Sequence, residues 1–201
     1  MLAGGESARM GVPKESLDWG GVPLVAHVAE TVAQVAAPGP VVVVARAGQR
    51  LPDLPPDVAV VHDSVDGNGP LQGLRDGLAA LAGRAELAFV AATDLPLLSP
   101  SFVRCVLDAL EPGLDAAIPV VRGRRHVLVS AYDVSLVGTV DALLASGERR
   151  VRALLEHCRV RFLDEGELLS DPELAELDPR LESVVGANTP AEYGAALARR
   201  G

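Results

Sequence analysis

The sequence predicts an α/β protein: a single domain over residues 1–201, with a Rossmann-like, mostly parallel sheet and helices on both faces in a three-layer stack. Three observations predict it. Short apolar runs of strand length alternate almost throughout with segments whose apolar residues recur every three or four positions, the pattern of βα units. Val41–Ala45 is an unbroken valine-rich run, as expected of a strand buried on both faces of a parallel sheet. A glycine-rich loop follows the short apolar start of the chain, and ligands of open α/β sheets bind beyond the carboxyl ends of strands.

In chain order, residues 16–23 read as a brief edge segment and turn. Leu24, Val25, Val28, Val32 and Val35 fall at helical spacing, so the pattern predicts a helix over 23–36, ended by Pro38-Gly39. Val41–Ala45 and Val58–His62 are strands around a proline-rich loop at 52–56. Asp63–Pro70 is a flexible loop leading into a helix with Leu71, Leu74, Leu78 and Leu81 on one face. Leu87–Ala92 is the strongest strand and ends at Thr93-Asp94-Leu95-Pro96. Ser99-Pro100 starts a helix with Phe102, Val103, Val106, Leu107 and Leu110 as its buried stripe.

Ala116–Val121 and Val127–Tyr132 are strands joined by a basic turn, which predicts an antiparallel pair or a local excursion between them. Helices follow at 134–145 and 148–158, then a strand at Val160–Leu163. Residues 164–182 are acidic with little apolar pattern, which predicts an exposed excursion, and Ser183–Val185 reads as a last strand. Thr189-Pro190-Ala191-Glu192 fits a capping box for a C-terminal helix running to about Arg199.

Composition narrows the function. The apolar fraction is 49% but aromatics are 3%, so the core must be built from Val, Leu and Ala. A net charge of −9 argues against a general nucleic-acid binder, which needs a basic footprint, but leaves room for a small anionic ligand on a local basic cluster. The longest apolar runs fall far short of the ~18 residues of a membrane span. Residues at the start lack the basic and apolar regions of a secretory signal. Cys105 and Cys158 show neither CxxC nor metal spacing, so buried thiols in a reducing, cytoplasmic compartment are expected. Nothing in the sequence specifies an oligomeric state.

The chemistry begins at residues 1–14. Paired glycines, Gly4 and Gly5, let the backbone turn tightly and bring N–H groups close to a ligand, and successive N–H groups make an anion-binding concavity. On glycine content alone this is as often a plain βα turn; Arg9 and Lys14 tip it towards a phosphate site. Lys14 is the only lysine among 18 basic residues of Lys and Arg type, so a compact ammonium is expected there rather than a guanidinium fork. The loop is neither a Walker A sequence nor G-x-G-x-x-G. Asp94, beyond the most apolar strand, either holds Mg²⁺ or caps the turn before Pro96. Asp63 stands after a strand with the same two readings. Arg122, Arg124, Arg125 and His126 form one basic patch and Arg149, Arg150 and Arg152 another. Each is a solvated face unless the two meet near the strand ends and bind a phosphorylated second substrate. His27 and His157 read as packing or surface residues.

The ordered motifs resemble the MobA-like nucleotidyltransferase family, which includes molybdenum cofactor guanylyltransferase. Residues 2–14 match its L-A-G-G-x-S-x-R-M-G-x-x-K, and residues 20–27 are similar to its G-x-P-L-x-x-H. Asp63 with Gly69-Pro70-Leu71-Gln72-Gly73 resembles D-x(n)-G-P-L-x-G, and Thr93-Asp94-Leu95-Pro96 resembles C-D-x-P. Gly147-Glu148-Arg149-Arg150 and Asn188-Thr189-Pro190 match later motifs, so the likeness covers nearly the whole chain.

The resemblance implies a nucleotide-diphospho-sugar transferase type of fold and an Mg²⁺-dependent transfer of GMP from GTP to molybdenum-bound molybdopterin, releasing pyrophosphate. It implies that Leu2, Ala3 and Gly4 meet the guanine and ribose, that Gly5 to Gly11 wrap the phosphates, and that Arg9 and Lys14 neutralise them. It further implies Asp63 and Gly69 at the nucleotide and Asp94 at the metal. Arg125, His126, Arg149, Arg150 and Asn188 would face the acceptor. The family has a full apolar strand before L-A-G-G where Met1 alone precedes Leu2 here, so either an upstream start or a shortened central strand is expected. Val44 and Gly186 stand where the family carries asparagines, and Val127 where it often has proline. A cytidylyl- or other nucleotidyltransferase with a different phosphorylated acceptor, and a nucleotide-binding module without catalysis, are the alternatives at this point.

Overall fold

The computed structural model describes residues 1–4, 10, 11, 13–65 and 67–200. β1 (Val41–Ala45) and β2 (Val58–His62) pair in parallel, with Val41 opposite Val58 and Ala45 opposite His62. β3 (Leu87–Ala91), β4 (Ala116–Val121), β5 (Arg124–Arg125) and β6 (Val129–Asp133) form a second ladder in the spatial order β3–β6–β4–β5, and β7 (Val160–Leu163) also pairs with β4. Residues 1–3 join the two ladders. Leu2 bridges in parallel to both Val44 and Ala92, through Leu2 N–H to Ala91 O at 2.8 Å and Ala3 N–H to Val44 O at 2.8 Å.

The sheet is mixed, so the expected parallel character is met in part. β6 is antiparallel to β3 and to β4, β5 is antiparallel to β4, and the β1·β2 and β4·β7 ladders are parallel. The cause is local. Arg122 (φ 52°) and Gly123 (φ 68°) are both left-handed, so the basic turn after β4 is a tight hairpin that reverses the chain without a crossover helix. After the two residues of β5 and a short excursion, the chain returns as β6 between β3 and β4.

Eight helices are seen among the described residues: α1 (Leu24–Ala36), α2 (Gly69–Leu81), α3 (Pro100–Asp108), α4 (Val137–Ala145), α5 (Val151–Leu154), α6 (Glu165–Leu168), α7 (Pro172–Leu177) and α8 (Pro190–Leu197). Strand alternation divides the apolar residues between two cores. Ala91, Ala117 and Val121 pack with Val28 of α1 and Phe102 and Val106 of α3. Ala88, Val90, Ala116 and Ile118 pack with Leu71, Leu74 and Leu78 of α2 and Val140 of α4. Helices therefore cover both faces, giving the three layers expected. No helix of the described residues is long and apolar enough to cross a membrane.

Two expectations are corrected. Residues 164–182 are not an exposed excursion: they form α6 and α7, and Leu168, Leu174 and Leu181 are fully buried beside α3. Asp164 and Glu167 close a capping box and Asp171 caps α7, so carboxylates that read as a solvated run are helix-start signals. Ser183–Val185 is not a strand. Glu182–Val184 is a 3₁₀ turn whose N–H groups at Glu182 and Ser183 bond to the Asp178 carboxylate at 2.6 and 2.9 Å.

The central strand position between β1 and β3 is held by residues 1–3. Below Met1 it continues as an apolar cavity of about 350 Å³ lined by Val41, Val42, Leu87, Phe89 and Leu107 among others. The Met1 amino group donates to Val42 O at 2.7 Å, and burial pushes its pKa down to about 5.

Candidate nucleotide site at the strand ends

Four segments end together at one edge of the sheet: Ala3–Gly4, β1 at Ala45–Arg46, β2 at His62–Asp63, and β3 at Ala92–Asp94. Hydrogen bonds fix their relative heights. The Thr93 hydroxyl donates to Leu2 O at 2.9 Å, and Asp63 N–H donates to Ala45 O at 2.7 Å. Asp63, Asp94 and Gly4 therefore stand where ligands of α/β sheets bind.

Lys14 opens a 3₁₀ turn, Lys14–Ser16. Its Nζ donates to Asp94 Oδ2 at 3.1 Å and to Asn188 Oδ1 at 2.6 Å. Asn188 reaches it because Ala187 N–H bonds to Asp94 O at 2.8 Å, strapping the segment before α8 across the end of β3. Thr189 caps α8 through Glu192 N–H at 3.2 Å, while the Glu192 carboxylate returns to Asn188 N–H at 2.8 Å rather than to Thr189. Gly186 leaves little room for a side chain: a Cβ there would lie 3.0 Å from Asn188 Nδ2, which would have to shift, and 3.5 Å from Asp94 Oδ2. The Lys14 and Asp94 side chains are 18% and 20% exposed, a charge pair at the rim of the protein interior with an opening to solvent.

A second group surrounds Gly4. A Cβ on Gly4 would lie 3.0 Å from Arg46 Cγ and 3.3 Å from Asp63 Oδ2, so glycine leaves the backbone open between an arginine and a carboxylate. At Gly73, α2 packs against Leu2 and Asp63, which lie 3.4 and 3.6 Å from its Cβ position. The residue after Asp63 is anchored by buried Asp76, whose carboxylate accepts from Ser64 N–H at 2.8 Å, from the Ser64 hydroxyl at 3.0 Å and from Gln72 at 3.0 Å. Burial raises the Asp76 pKa, but these donors and Arg75 outweigh it and hold the carboxyl below its usual value.

The remaining expected residues lie apart from these groups. Gly69 (φ 72°) brings the start of α2 against Arg149, with Leu71 N–H donating to Arg149 O at 3.2 Å. The Arg149 guanidinium donates to Leu144 O and Glu148 O at 3.1 and 2.8 Å. Exposed Arg150 pairs with Glu148 at 2.9 Å; that arginine side chain, with the Arg150 and Arg149 N–H groups, holds the Glu148 carboxyl down at about 2. Arg125 lies over the Phe162 ring at 4.5 Å, and burial lowers the His126 pKa. Among the described residues no hydrogen bond or ion pair joins the two basic patches. Arg9 and Gly5 lie outside the described residues.

Sequence reasoning missed Arg46, Gln49, Glu15 and Asp76. The Gln49 carboxamide accepts from Arg46 N–H at 2.9 Å and donates to Ala3 O at 3.1 Å and to buried Glu15 at 2.6 Å. A lone Gln in a loop carries no periodic or motif signal. Asp76 lies on the side of α2 away from the Leu71, Leu74, Leu78 and Leu81 stripe that marks the helix, next to Gln72.

Fold and site together define an α/β protein whose strand ends gather a lysine, two aspartates and tight glycines. The chain belongs to the MobA-like NTP transferase domain family, whose model matches residues 1–162. It is 38% identical over 160 residues to a probable molybdenum cofactor guanylyltransferase of Mycobacterium avium, covering 78% of this chain and 79% of that one. A protein of the same description from Mycobacterium marinum is 41% identical over 160 residues, with coverage of 78% and 77%. The fold is similar to that of molybdopterin-guanine dinucleotide biosynthesis protein A from Archaeoglobus fulgidus, with a TM-score of 0.73 at 23% identity over 98% and 95% of the two chains. It is also similar to 2-C-methyl-D-erythritol 4-phosphate cytidylyltransferase from Thermus thermophilus, with a TM-score of 0.67 at 19% identity over 98% and 96%.

Proposed function

We propose that this chain transfers GMP from GTP to the terminal phosphate of molybdenum-bound molybdopterin, releasing pyrophosphate and forming the guanine dinucleotide cofactor. The observation that carries the reading is the Lys14–Asp94–Asn188 cluster at the strand ends, beside the Gly4 turn. Relatives named molybdenum cofactor guanylyltransferase support the choice of base and acceptor over the cytidylyl alternative.

A phosphate attacking a triphosphate meets like charge, so positioning and neutralisation dominate such a reaction. The Lys14 ammonium supplies positive charge to the phosphates, and its bonds to Asp94 and Asn188 fix its direction before substrate arrives. Backbone at Ala3 and Gly4 receives the nucleoside, with Asp63 beside it. The acceptor phosphate is itself the nucleophile, so no protein nucleophile is needed.

Mg²⁺ suits the donor set. No group of three or more His, Cys, Asp or Glu that could hold a metal occurs among the described residues, and Mg²⁺ characteristically takes one or two carboxylates with phosphate oxygens and water. Asp94 offers one such carboxylate, partly open to solvent. A bound Mg²⁺ would polarise the α-phosphate and template in-line attack. The free thiols Cys105 and Cys158, the latter pushed up to about 11 by burial, suit a reducing cytoplasmic setting.

The test is pyrophosphate release by the purified chain with GTP, Mg²⁺ and molybdenum-loaded molybdopterin, with the dinucleotide product identified by mass. GTP-dependent release that requires the acceptor is expected. Preference for CTP overturns the guanylyl assignment, and nucleotide binding without turnover overturns catalysis.

A further inference from the structure

We propose that Arg46 reads the base: its guanidinium donates to O6 and N7 of a guanine seated over Gly4. The inference rests on the GTP reading above and assigns the residue that selects the nucleotide. Arg46 is the first residue beyond β1, and its Cγ lies 3.0 Å from the Cβ position of Gly4. The stem of the side chain thus borders the opening that the glycine leaves, with the Asp63 carboxylate on the same opening at 3.3 Å.

Arg46 Nε is buried and has no hydrogen-bond partner among the described residues. A buried charged donor left unsatisfied is costly and is rare in folded proteins unless a ligand completes it. Six other arginines, Arg75, Arg104, Arg150, Arg159, Arg161 and Arg199, pair with carboxylates. Arg46 is held instead by its backbone. Its N–H donates to Gln49 Oε1 at 2.9 Å and its carbonyl accepts from Gln49 N–H at 3.1 Å, while the same Gln49 side chain holds Ala3 O at 3.1 Å. The arginine and the strand end that carries Gly4 are therefore fixed to each other, and the guanidinium is left to the ligand.

The chemistry selects guanine. O6 and N7 are adjacent acceptors that match two guanidinium donors, whereas adenine presents an N6 donor beside N7 and cytosine an N4 donor. A carboxylate at the same opening is the complement of guanine's own N–H donors.

The experiment compares equilibrium binding of GTP, ATP, CTP and 7-deaza-GTP to the full chain and to Arg46→Gln and Arg46→Lys, with circular dichroism as the fold control. Wild type is expected to prefer GTP. Arg46→Gln should lose about 10- to 100-fold in GTP affinity with little change for ATP or CTP. Removing N7 should weaken wild type but not Arg46→Gln. Arg46→Lys keeps the charge but not the fork, and should lose discrimination while still attracting nucleotide. Equal losses for all nucleotides, or a GTP preference that survives in both variants, overturns the inference and leaves the guanylyl reading intact. A wild type that does not prefer GTP overturns both.

Discussion

The Lys14 ammonium lies 3.1 Å from Asp94 Oδ2 and 2.6 Å from Asn188 Oδ1, so three segments distant in the chain are joined at one cation. Its removal tests the site most directly. Lys14→Ala should lower kcat/KM by about 10²–10³-fold, the scale of losing one preorganised charge at a transition state. The cost in stability should be about 1–3 kcal/mol, below that of a typical domain, so the variant stays folded. Lys14→Arg should not restore the rate, because a planar fork cannot take the position of a compact ammonium. Wild-type turnover in Lys14→Ala, measured as pyrophosphate release, contradicts the assignment.

Asp94→Asn separates charge from shape. The amide oxygen still accepts from Lys14, but the negative charge that would attract Mg²⁺ is gone. The Mg²⁺ concentration for half-maximal turnover should rise at least about tenfold, a change of roughly 1.4 kcal/mol. An unchanged Mg²⁺ titration means the metal is held elsewhere.

Gly186→Ala is a geometric probe. Its backbone does not require glycine, but the added methyl would meet Asn188 Nδ2 at 3.0 Å and Asp94 at 3.5 Å. Displacing Asn188 by a few tenths of an ångström should reduce turnover by about 10-fold, given how steeply rate depends on placement. The urea midpoint should hardly move. A large stability loss with normal kinetics reverses the reading of this glycine as a site residue.

The two-faced core was legible because strand and helix periods are written directly in Val41–Ala45, Leu87–Ala92 and the Leu71–Leu74–Leu78 stripe. Lys14, Asp63 and Asp94 were legible because each adjoins a strand end or a glycine turn. The antiparallel direction of β6 against β4 was legible in the short basic turn between them, whereas its insertion between β3 and β4 was not, since a pairing between distant segments leaves no local pattern. The excursion at 164–182 misled because its three buried leucines are spaced too widely for a helical stripe, while its carboxylates act as caps. Arg46 and Gln49 escaped because their roles rest on contacts with Ala3 and Gly4, which no local pattern encodes.

Asp76→Ala should act on both stability and binding. It removes the acceptor shared by Ser64, Gln72 and Arg75 and leaves buried donors unsatisfied, at a cost of about 2–4 kcal/mol. Because Ser64 follows Asp63, the nucleotide KM should rise as well, while Asp76→Asn should recover part of both. Loss of stability with an unchanged KM means that the network holds the fold without positioning Asp63.

His27 couples pH to the Asp94 loop. Its Nε2 lies 3.0 Å from Pro96 O, two residues beyond Asp94, and its ring is 5.7 Å from Trp19, the only tryptophan. Burial lowers the His27 pKa, with Arg200 adding to the effect and the Pro96 carbonyl and Glu30 opposing it. Arg200 lies over the Trp19 ring, so cationic charge already sits beside the imidazole. A folded pKa below the unfolded value of about 6.5 means that the unfolded chain takes up the proton first as pH falls. Its contribution is therefore complete above about pH 6.5 and declines as pH drops towards the lower folded value. The urea midpoint, followed by Trp19 fluorescence, should fall between pH 7.5 and about 5.5, and the His27→Gln variant should flatten that part of the slope. Burial lowers the Met1 amino group and His126 as well, which adds slope of the same sign, so the difference between wild type and His27→Gln isolates the share of His27. A midpoint that rises on acidification over this range would falsify a neutral His27 as the donor that holds Pro96, and with it the link between this histidine and the placement of Asp94.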